Sequence, residues 1–416
     1  MGKVVNLQGT ARTRRARRRR RSTTALVLGG GGFTGGVYEI GALRALDLLA
    51  VDRTVNQFDI YVGTSAGAMI AALAANGVTP EQMMRGLNED VAQPFPEVDF
   101  GMLLRPNYRE FVSRGIRLPF QVLGVLRELG RSLPSLSTVD LAIALADLLP
   151  SGLYSGSGIE KYMRTVLADP DRTDDFRELD AELYLAATDL DTCERIVLGG
   201  AGWDDVPISS AVRASAALPM VYRPHTLKDR ELVDGGIVST TNLDIAVEAG
   251  AKLIVVVNPL VPFVNDFTKE IPTLFGSRTR RVSDMGFPKI GYQTFKLLAH
   301  QRLHEMAGRW REMYPGVDIV LIEPDADDEL MFETNILNYT SRLEVARHGF
   351  QSVTVKLAAD YEGLREVCAR HGIEISAARV RQVIAHFDAE KEKTRVWRRI
   401  LEQTTGALLR QSAGDG

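Results

Sequence analysis

The stretch DIYVGTSAGAMIAAL, Asp59 to Leu73, holds a serine between two glycines where an apolar run gives way to alanines. The apolar half reads as a strand, GTSAG as a turn and AMIAALAANG as a helix closed by Gly77. The spacing Gly63-Thr64-Ser65-Ala66-Gly67 is G-x-S-x-G in a strand-turn-helix setting, the context that gives this short pattern its meaning. Both glycines are explained by crowding, because a tight turn leaves no room for side chains two positions either side of the serine. Ser65 at a helix N-terminus is then either a nucleophile, with peptide N–H groups and the helix dipole to receive negative charge, or a helix cap.

The same unit recurs around this stretch. Ala25 to Leu28 is a short strand ending in GGGGFTGG, and the helix after it places Ile40, Leu43, Leu46 and Leu49 on one face. Downstream, ELYLAATDL and ERIVLGG read as strands, ISSAVRASAALP as a helix, RELVDGG as strand and turn, NLDIAVEAG as a helix, and AKLIVVVNP and VDIVLIEP as strands. Such alternation predicts an α/β sandwich with a largely parallel central sheet. Residues 82–150 break the pattern with several Pro- and Gly-separated helices, which are either a cap over a substrate site or a packing subdomain. The stretch FGSRTRRVSDMGFPKIGYQ reads as a loop. From Asp360 the chain is charged and helical, suited to docking, to homo-oligomer contact or to a plain amphipathic tail.

Composition narrows the partners. Fifty basic against 53 acidic residues leave a net charge of -3, which argues against a general nucleic-acid surface. The exception is ARTRRARRRRRS at Ala11 to Ser22, which repels itself and reads as a disordered arm for anionic lipid, RNA or another acidic surface. The apolar run after it is too short for a signal peptide, and no run approaches the ~18 apolar residues of a membrane span. Cys193 and Cys368 stand in unrelated contexts, so neither a disulfide framework nor a cysteine metal site is expected, and the cytoplasm is the expected compartment.

A serine hydroxyl needs a base and donors for an oxyanion. Gly29 to Gly32 allow backbone N–H groups to converge on one oxygen, and Asp234 in ELVDGG, followed by Gly235 and Gly236, offers a carboxylate at a strand end. Carboxylates beside glycine are also common in ordinary turns. Gly30, Gly32 and Gly35 equally satisfy G-x-G-x-x-G, with Asp52 at a spacing suited to a ribose, so a dinucleotide site is a rival reading. A P-loop is excluded, because no Gly-Lys-Ser/Thr follows.

Taken in order, GGGGFTGGVYEIGALRAL, GTSAGAM, ATDLDTCERIVLG, AVRASAALPMVYRP and LVDGGIVSTTNLDIAVEAGA resemble the patatin-like phospholipase family from about Thr24 to Pro259. The resemblance implies a three-layer α/β/α sandwich with a mainly parallel sheet, here with a helical insertion at 82–150 and a helical C-terminal extension at 361–416 around a catalytic domain at 23–360, after an arm at 1–22. It implies hydrolysis of lipid acyl esters at a membrane surface with no cofactor or metal, of the phospholipase A or lysophospholipase type. Carried over, Ser65 is the nucleophile, Asp234 its base, Gly30, Gly31 and Gly32 the oxyanion donors, and Gly35, Gly63, Gly67, Gly235 and Gly236 the motif glycines. A dyad matches the histidines: His300, His304, His348, His371 and His386 lie in helical or charged surroundings, and His225 precedes the acid. One departure is that family members commonly carry a basic residue before the last glycine of the first loop, whereas this chain has Thr34 or Gly35 there, which leaves the register open by one residue. A catalytically silent lipid-binding protein of the same fold is the alternative; for the hydrolase, peripheral attachment to the inner membrane face is one option within the cytoplasm.

Overall fold

The computed structural model describes residues 22–87, 104–113 except 109 and 111, 150–333 except 268, 269, 274, 275 and 280, and 341–387 except 386. The arginine-rich arm, most of the 82–150 insertion, His386 and the chain beyond residue 387 lie outside the described residues.

The first strands are continuous apolar runs, the pattern of strands covered on both faces. β1 (Thr24–Leu28) leads into α1 (Gly32–Leu49), and β2 (Ile60–Thr64) into α2 (Ala66–Ala75) and α3 (Pro80–Gly86). After the insertion come β3 (Gly152–Tyr154), α4 (Ser157–Leu167), β4 (Glu182–Asp189), β5 (Arg195–Leu198) and α5 (Ile208–Ser215). Then follow β6 (Met220–Tyr222), β7 (His225–Leu227), β8 (Arg230–Asp234), α6 (Leu243–Glu248), β9 (Leu253–Val257), β10 (Glu270–Thr273) and β11 (Gly276–Thr279). The described chain closes with α7 (Phe287–Ala307), α8 (Trp310–Met313), β12 (Asp318–Ile322), α9 (Glu329–Glu333), α10 (Arg342–Ala359) and α11 (Tyr361–Arg370).

The main sheet runs β12-β9-β1-β2-β4-β8-β7, with β5 also on β4. Neighbours from β12 to β4 are parallel, whereas β5, β8 and β7 pair antiparallel. Alternate residues face opposite layers, as strand geometry requires. Leu26, Leu28 and Tyr61 pack in one apolar core with α1, α2, α4, α5 and α10, while Ala25, Val27, Ile60 and Val62 pack in a second with Leu243 and Ala246 of α6, Leu303 of α7 and Trp310. The result is the three-layer α/β/α sandwich.

One packing detail positions the site. β4 meets β2 along Glu182 to Ala186 and β8 along Ala187 to Asp189. Its other edge holds β5 along Leu185 to Thr188. β2 and β8 therefore share one edge of β4, pointing at each other, with Thr64 opposite Ala186 and Asp234 opposite Ala187. Gaps in the sequence reading are local. The stretch expected as a loop around 275–293 contains β11, which forms a hairpin with β10, and the first turns of α7. The expected start of the insertion at residue 82 falls inside α3, whose Thr79 hydroxyl accepts from the Gln82 N–H. Leu364, Cys368 and Val380, in the stretch assigned to a C-terminal extension, are buried in the first core.

Candidate active site

Ser65 sits between β2 and α2 with φ of 57°, a left-handed conformation that a serine adopts only under constraint. The constraint is visible on both sides. A β-carbon at Gly63 would lie 2.5 Å from Ala68 Cα, and one at Gly67 would lie 2.5 Å from the Leu28 carbonyl oxygen, so the turn closes only around bare backbone. Two side chains hold it from outside. The Ser65 N–H donates to Ser215 Oγ at 3.0 Å, and that hydroxyl donates to the Ala186 carbonyl at 2.6 Å. Asn242 Nδ2 donates to Thr64 Oγ1 at 3.0 Å and to the Ser239 carbonyl at 2.6 Å.

Asp234 ends β8 and faces the serine turn across Ala186 and Ala187 of β4. The Ser65 hydroxyl donates to Asp234 Oδ2 at 2.5 Å, and the Gly236 N–H donates to Asp234 Oδ1 at 2.8 Å. Both residues are buried, Ser65 at 8% and Asp234 at 3% exposure, so water competes little for the carboxylate. Burial raises the Asp234 pKa from 3.8 to about 6, against the lowering effect of the Ser65 hydroxyl and the Gly236 N–H. Gly235 is dictated by proximity, since a β-carbon there would lie 2.3 Å from the Ala186 carbonyl oxygen.

The glycine run lies against the same pair. A β-carbon at Gly30 would lie 3.3 Å from Ser65 Cβ, and one at Gly36 would lie 3.3 Å from Ala66 Cβ. Gly31 caps α1, Gly32 is its first residue, and Gly35 and Gly36 both lie inside the helix. Gly35 N–H donates to the Gly31 carbonyl at 3.0 Å, and Pro259 fits so closely that a β-carbon at Gly35 would lie 3.0 Å from its Cγ. The Gly30 N–H donates to the Thr240 carbonyl at 3.0 Å, which removes it from the expected set of three donors. Gly31 and Gly32 remain, at a helix N-terminus where peptide N–H groups have no intrahelical acceptor. Ala66 holds the equivalent place at the start of α2.

Helix α7 covers this cluster. Tyr292 Oη donates to the Gly31 carbonyl at 3.4 Å, and Phe295 approaches Gly236. Lys296 is 2% exposed, with Nζ 4.9 Å from the centre of the Tyr292 ring, and burial followed by the charge of Lys289 lowers its pKa to about 8. No motif flagged Ser215, Asn242, Tyr292 or Lys296, although the first two stand inside the quoted stretches AVRASAALPMVYRP and LVDGGIVSTTNLDIAVEAGA.

Other sequence candidates fall elsewhere. His225 Nε2 meets Ser210 Oγ at 2.8 Å, and burial lowers its pKa to about 4. His348 meets Asp328 at 2.5 Å, and His371 meets Asp318 at 2.7 Å. Asp52 follows α1 and precedes β2, so it lies at the opposite end of the parallel strands from the glycine turn, with its Oδ1 accepting from the Glu374 N–H at 3.2 Å. A ribose contact requires an acid at the carboxyl end of β2, and Thr64 holds that place.

A serine on a strained strand-to-helix turn is hydrogen-bonded to a buried aspartate from an antiparallel strand, on a three-layer α/β frame. The chain belongs to the patatin-like phospholipase family, whose sequence model matches residues 26–247. The uncharacterized protein YqhO of Bacillus subtilis (strain 168) is 29% identical over 223 residues, covering 50% of this chain and 64% of that protein. The chain thus spans just under two thirds of that relative's length. Among solved structures, VipD from Legionella pneumophila is similar over 82% of this chain and 67% of its own, with a TM-score of 0.35 and 14% identity. Full-length ExoU in complex with SpcU, from the type III secretion system of Pseudomonas aeruginosa, is similar over 90% and 62% respectively, with a TM-score of 0.28 and 14% identity.

Proposed function

We propose that this protein is a serine acyl hydrolase that cleaves lipid ester bonds, of the phospholipase A or lysophospholipase type, through a Ser65–Asp234 dyad. The observation that carries the reading is the buried hydrogen bond of 2.5 Å from Ser65 Oγ to Asp234 Oδ2. In the first half-reaction Ser65 Oγ attacks the ester carbonyl carbon while its proton passes to Asp234 Oδ2. The N–H groups of Gly31, Gly32 and Ala66 receive the negative oxygen, and each such donor contributes on the order of 3 kcal/mol to lowering the barrier. Asp234 then gives its proton to the departing alcohol. In the second half-reaction it takes a proton from the water that attacks the acyl-serine, and it returns that proton to Ser65 Oγ as the carbonyl–Oγ bond breaks and the fatty acid leaves. A buried carboxylate with a raised pKa is a stronger base than an exposed one, which suits it to this task without a histidine.

The substrate is met at a membrane surface, on the inner face of the cell membrane, with the arginine-rich arm at Arg12 to Arg21 drawn to anionic headgroups. Among the described residues no helix is long and apolar enough to cross a membrane. The test is hydrolysis of defined phospholipids, lysophospholipids and neutral glycerides by the pure protein and by Ser65→Ala. The variant is expected to lose turnover while keeping its fold and a similar melting temperature, and a fluorophosphonate probe is expected to label wild type at Ser65 alone. Unchanged turnover by the variant would refute the dyad. A wild type with neither turnover nor labelling would be a silent lipid binder.

A further inference from the structure

Helix α7 carries two histidines one turn apart, in the run His300-Gln301-Arg302-Leu303-His304. Residues at i and i+4 share a helix face, so both rings look the same way, and their centroids lie 4.0 Å apart. They look at Glu323, the residue after β12. His304 Nε2 is 2.8 Å from Glu323 Oε2, and His300 Nδ1 is 3.9 Å from Glu323 Oε1. One ligand atom from each of the three residues falls within 4.8 Å of the other two. Four-coordinate zinc, with bonds of 2.0–2.1 Å, holds its ligand atoms about 3.3 Å apart, so side-chain shifts of under about 1.5 Å bring the three into place.

Two further observations separate this cluster from an ordinary ion pair. His300 Nδ1 is buried and makes no hydrogen bond, a state that is costly for a ring nitrogen unless something else occupies it. Glu323 is also oriented from outside, since Asn258 Nδ2 donates to its Oε1 at 2.7 Å, the kind of second contact that fixes a ligating carboxylate. Lys356 is engaged by Asp325 at 2.7 Å and by the Glu323 backbone carbonyl at 2.5 Å.

We propose that His300, His304 and Glu323 form a binding site for a divalent transition-metal ion of the zinc class, which fastens helix α7 to the carboxyl ends of β9 and β12. Two imidazoles and one carboxylate suit zinc, nickel or copper better than calcium or magnesium, which take oxygen ligands. Three protein ligands leave a fourth position for water. The role is structural control and not ester chemistry. The same helix places Tyr292 on Gly31 and Phe295 beside Gly236, and Asn258 touches the glycine run, where a β-carbon at Gly29 would lie 3.2 Å from Asn258 Oδ1. A bound ion therefore holds the cover of the serine site in place, and the proposal stands whether or not Ser65 is a nucleophile.

The experiment uses the full-length protein stripped of metal with a chelator. Titration with cobalt(II) is expected to produce a saturable visible absorption of the four-coordinate kind, displaced by zinc, and zinc is expected to raise the melting temperature. His304→Gln and Glu323→Gln are each expected to weaken zinc binding at least about tenfold, and Asn258→Ala by a similar factor. His225→Gln is expected to leave it unchanged. Because a variant in α7 can fail to fold, the unmutated protein supplies a second readout: zinc should protect His300 and His304, but not His225, from carbethoxylation. Absence of saturable binding, binding indifferent to the His304 and Glu323 changes, or absence of protection would each overturn the proposal.

Discussion

At Asp234 the environment sets the chemistry. Burial raises its pKa to about 6, so the carboxyl is ionised, as the proposed base must be, above that pH and protonated below it. Ester hydrolysis, measured as kcat/KM, is expected to rise with pH through about 6 and level off above. The sign for stability is opposite. A carboxyl whose folded pKa lies above its unfolded value near 3.8 contributes stability that is present at pH below 3.8 and is lost as pH rises through about 6. Asp234→Asn removes that loss. Its unfolding free energy relative to wild type should therefore increase by on the order of 3 kcal/mol between pH 3.5 and 8 in denaturant titrations, while hydrolysis disappears. A variant whose relative stability does not move with pH would show that Asp234 keeps an ordinary pKa. Ser65 illustrates what a pattern can and cannot convey. G-x-S-x-G marks the turn, and Gly63 is required by contacts within a few residues, whereas the Leu28 carbonyl that excludes a side chain at Gly67 and the Ser215 hydroxyl that accepts from the Ser65 N–H, 150 positions away, carry no local signature.

Among elements, the meeting of β2 and β8 along β4 brings Ser65 and Asp234 together. Gly235 is the tightest point of that junction, because its neighbour is a backbone oxygen that cannot rotate away. Gly235→Ala is expected to cost about 2 to 4 kcal/mol in denaturant melts, as overpacking does, and to lower turnover in the folded fraction, because Asp234 must shift with it. Helix α1 makes a different prediction. Its Glu39 is wholly buried, and burial holds its carboxyl well above the usual range, against a smaller pull from the Gly29 backbone. This group also contributes stability that is complete below its unfolded pKa near 4.5 and declines as pH rises, by about 1.4 kcal/mol per pH unit until the folded pKa is reached. Glu39→Gln should thus melt near wild type at pH 4.5 and clearly above it at pH 8. β1, β2 and β9 in the parallel half were legible because burial on both faces favours continuous apolar runs. The hairpin at 270–279 was not, because a two-stranded ribbon needs no core-facing stripe and its Gly, Pro and Arg residues read as loop. The first turn of α1 was hidden for a related reason: glycines are poor helix formers, yet α1 begins at Gly32, and its Gly35 and Gly36 stand where Pro259 and Ala66 leave little room for a β-carbon. The His300–His304 spacing was present in the sequence, but it acquires meaning only once β12 delivers Glu323.

Over the whole molecule, a net charge of -3 with eight arginines between Arg12 and Arg21 is a strongly divided distribution. Removing residues 1–21 leaves a chain markedly more acidic, so binding to vesicles rich in anionic lipid should fall and lose most of its salt dependence, as measured by co-sedimentation at rising ionic strength. Hydrolysis of a dispersed monomeric ester should be unaffected. Equal vesicle binding by the two proteins would assign the arm another partner. The head-on approach of β2 and β8 also has a temporal side. The Ser65 hydroxyl and the Asp234 carboxylate are separated by 169 positions, and no shorter portion of the chain contains both. On the proposed reading, a nascent polypeptide emerging from the ribosome carries an inert serine until the β8 turn has followed it out and docked.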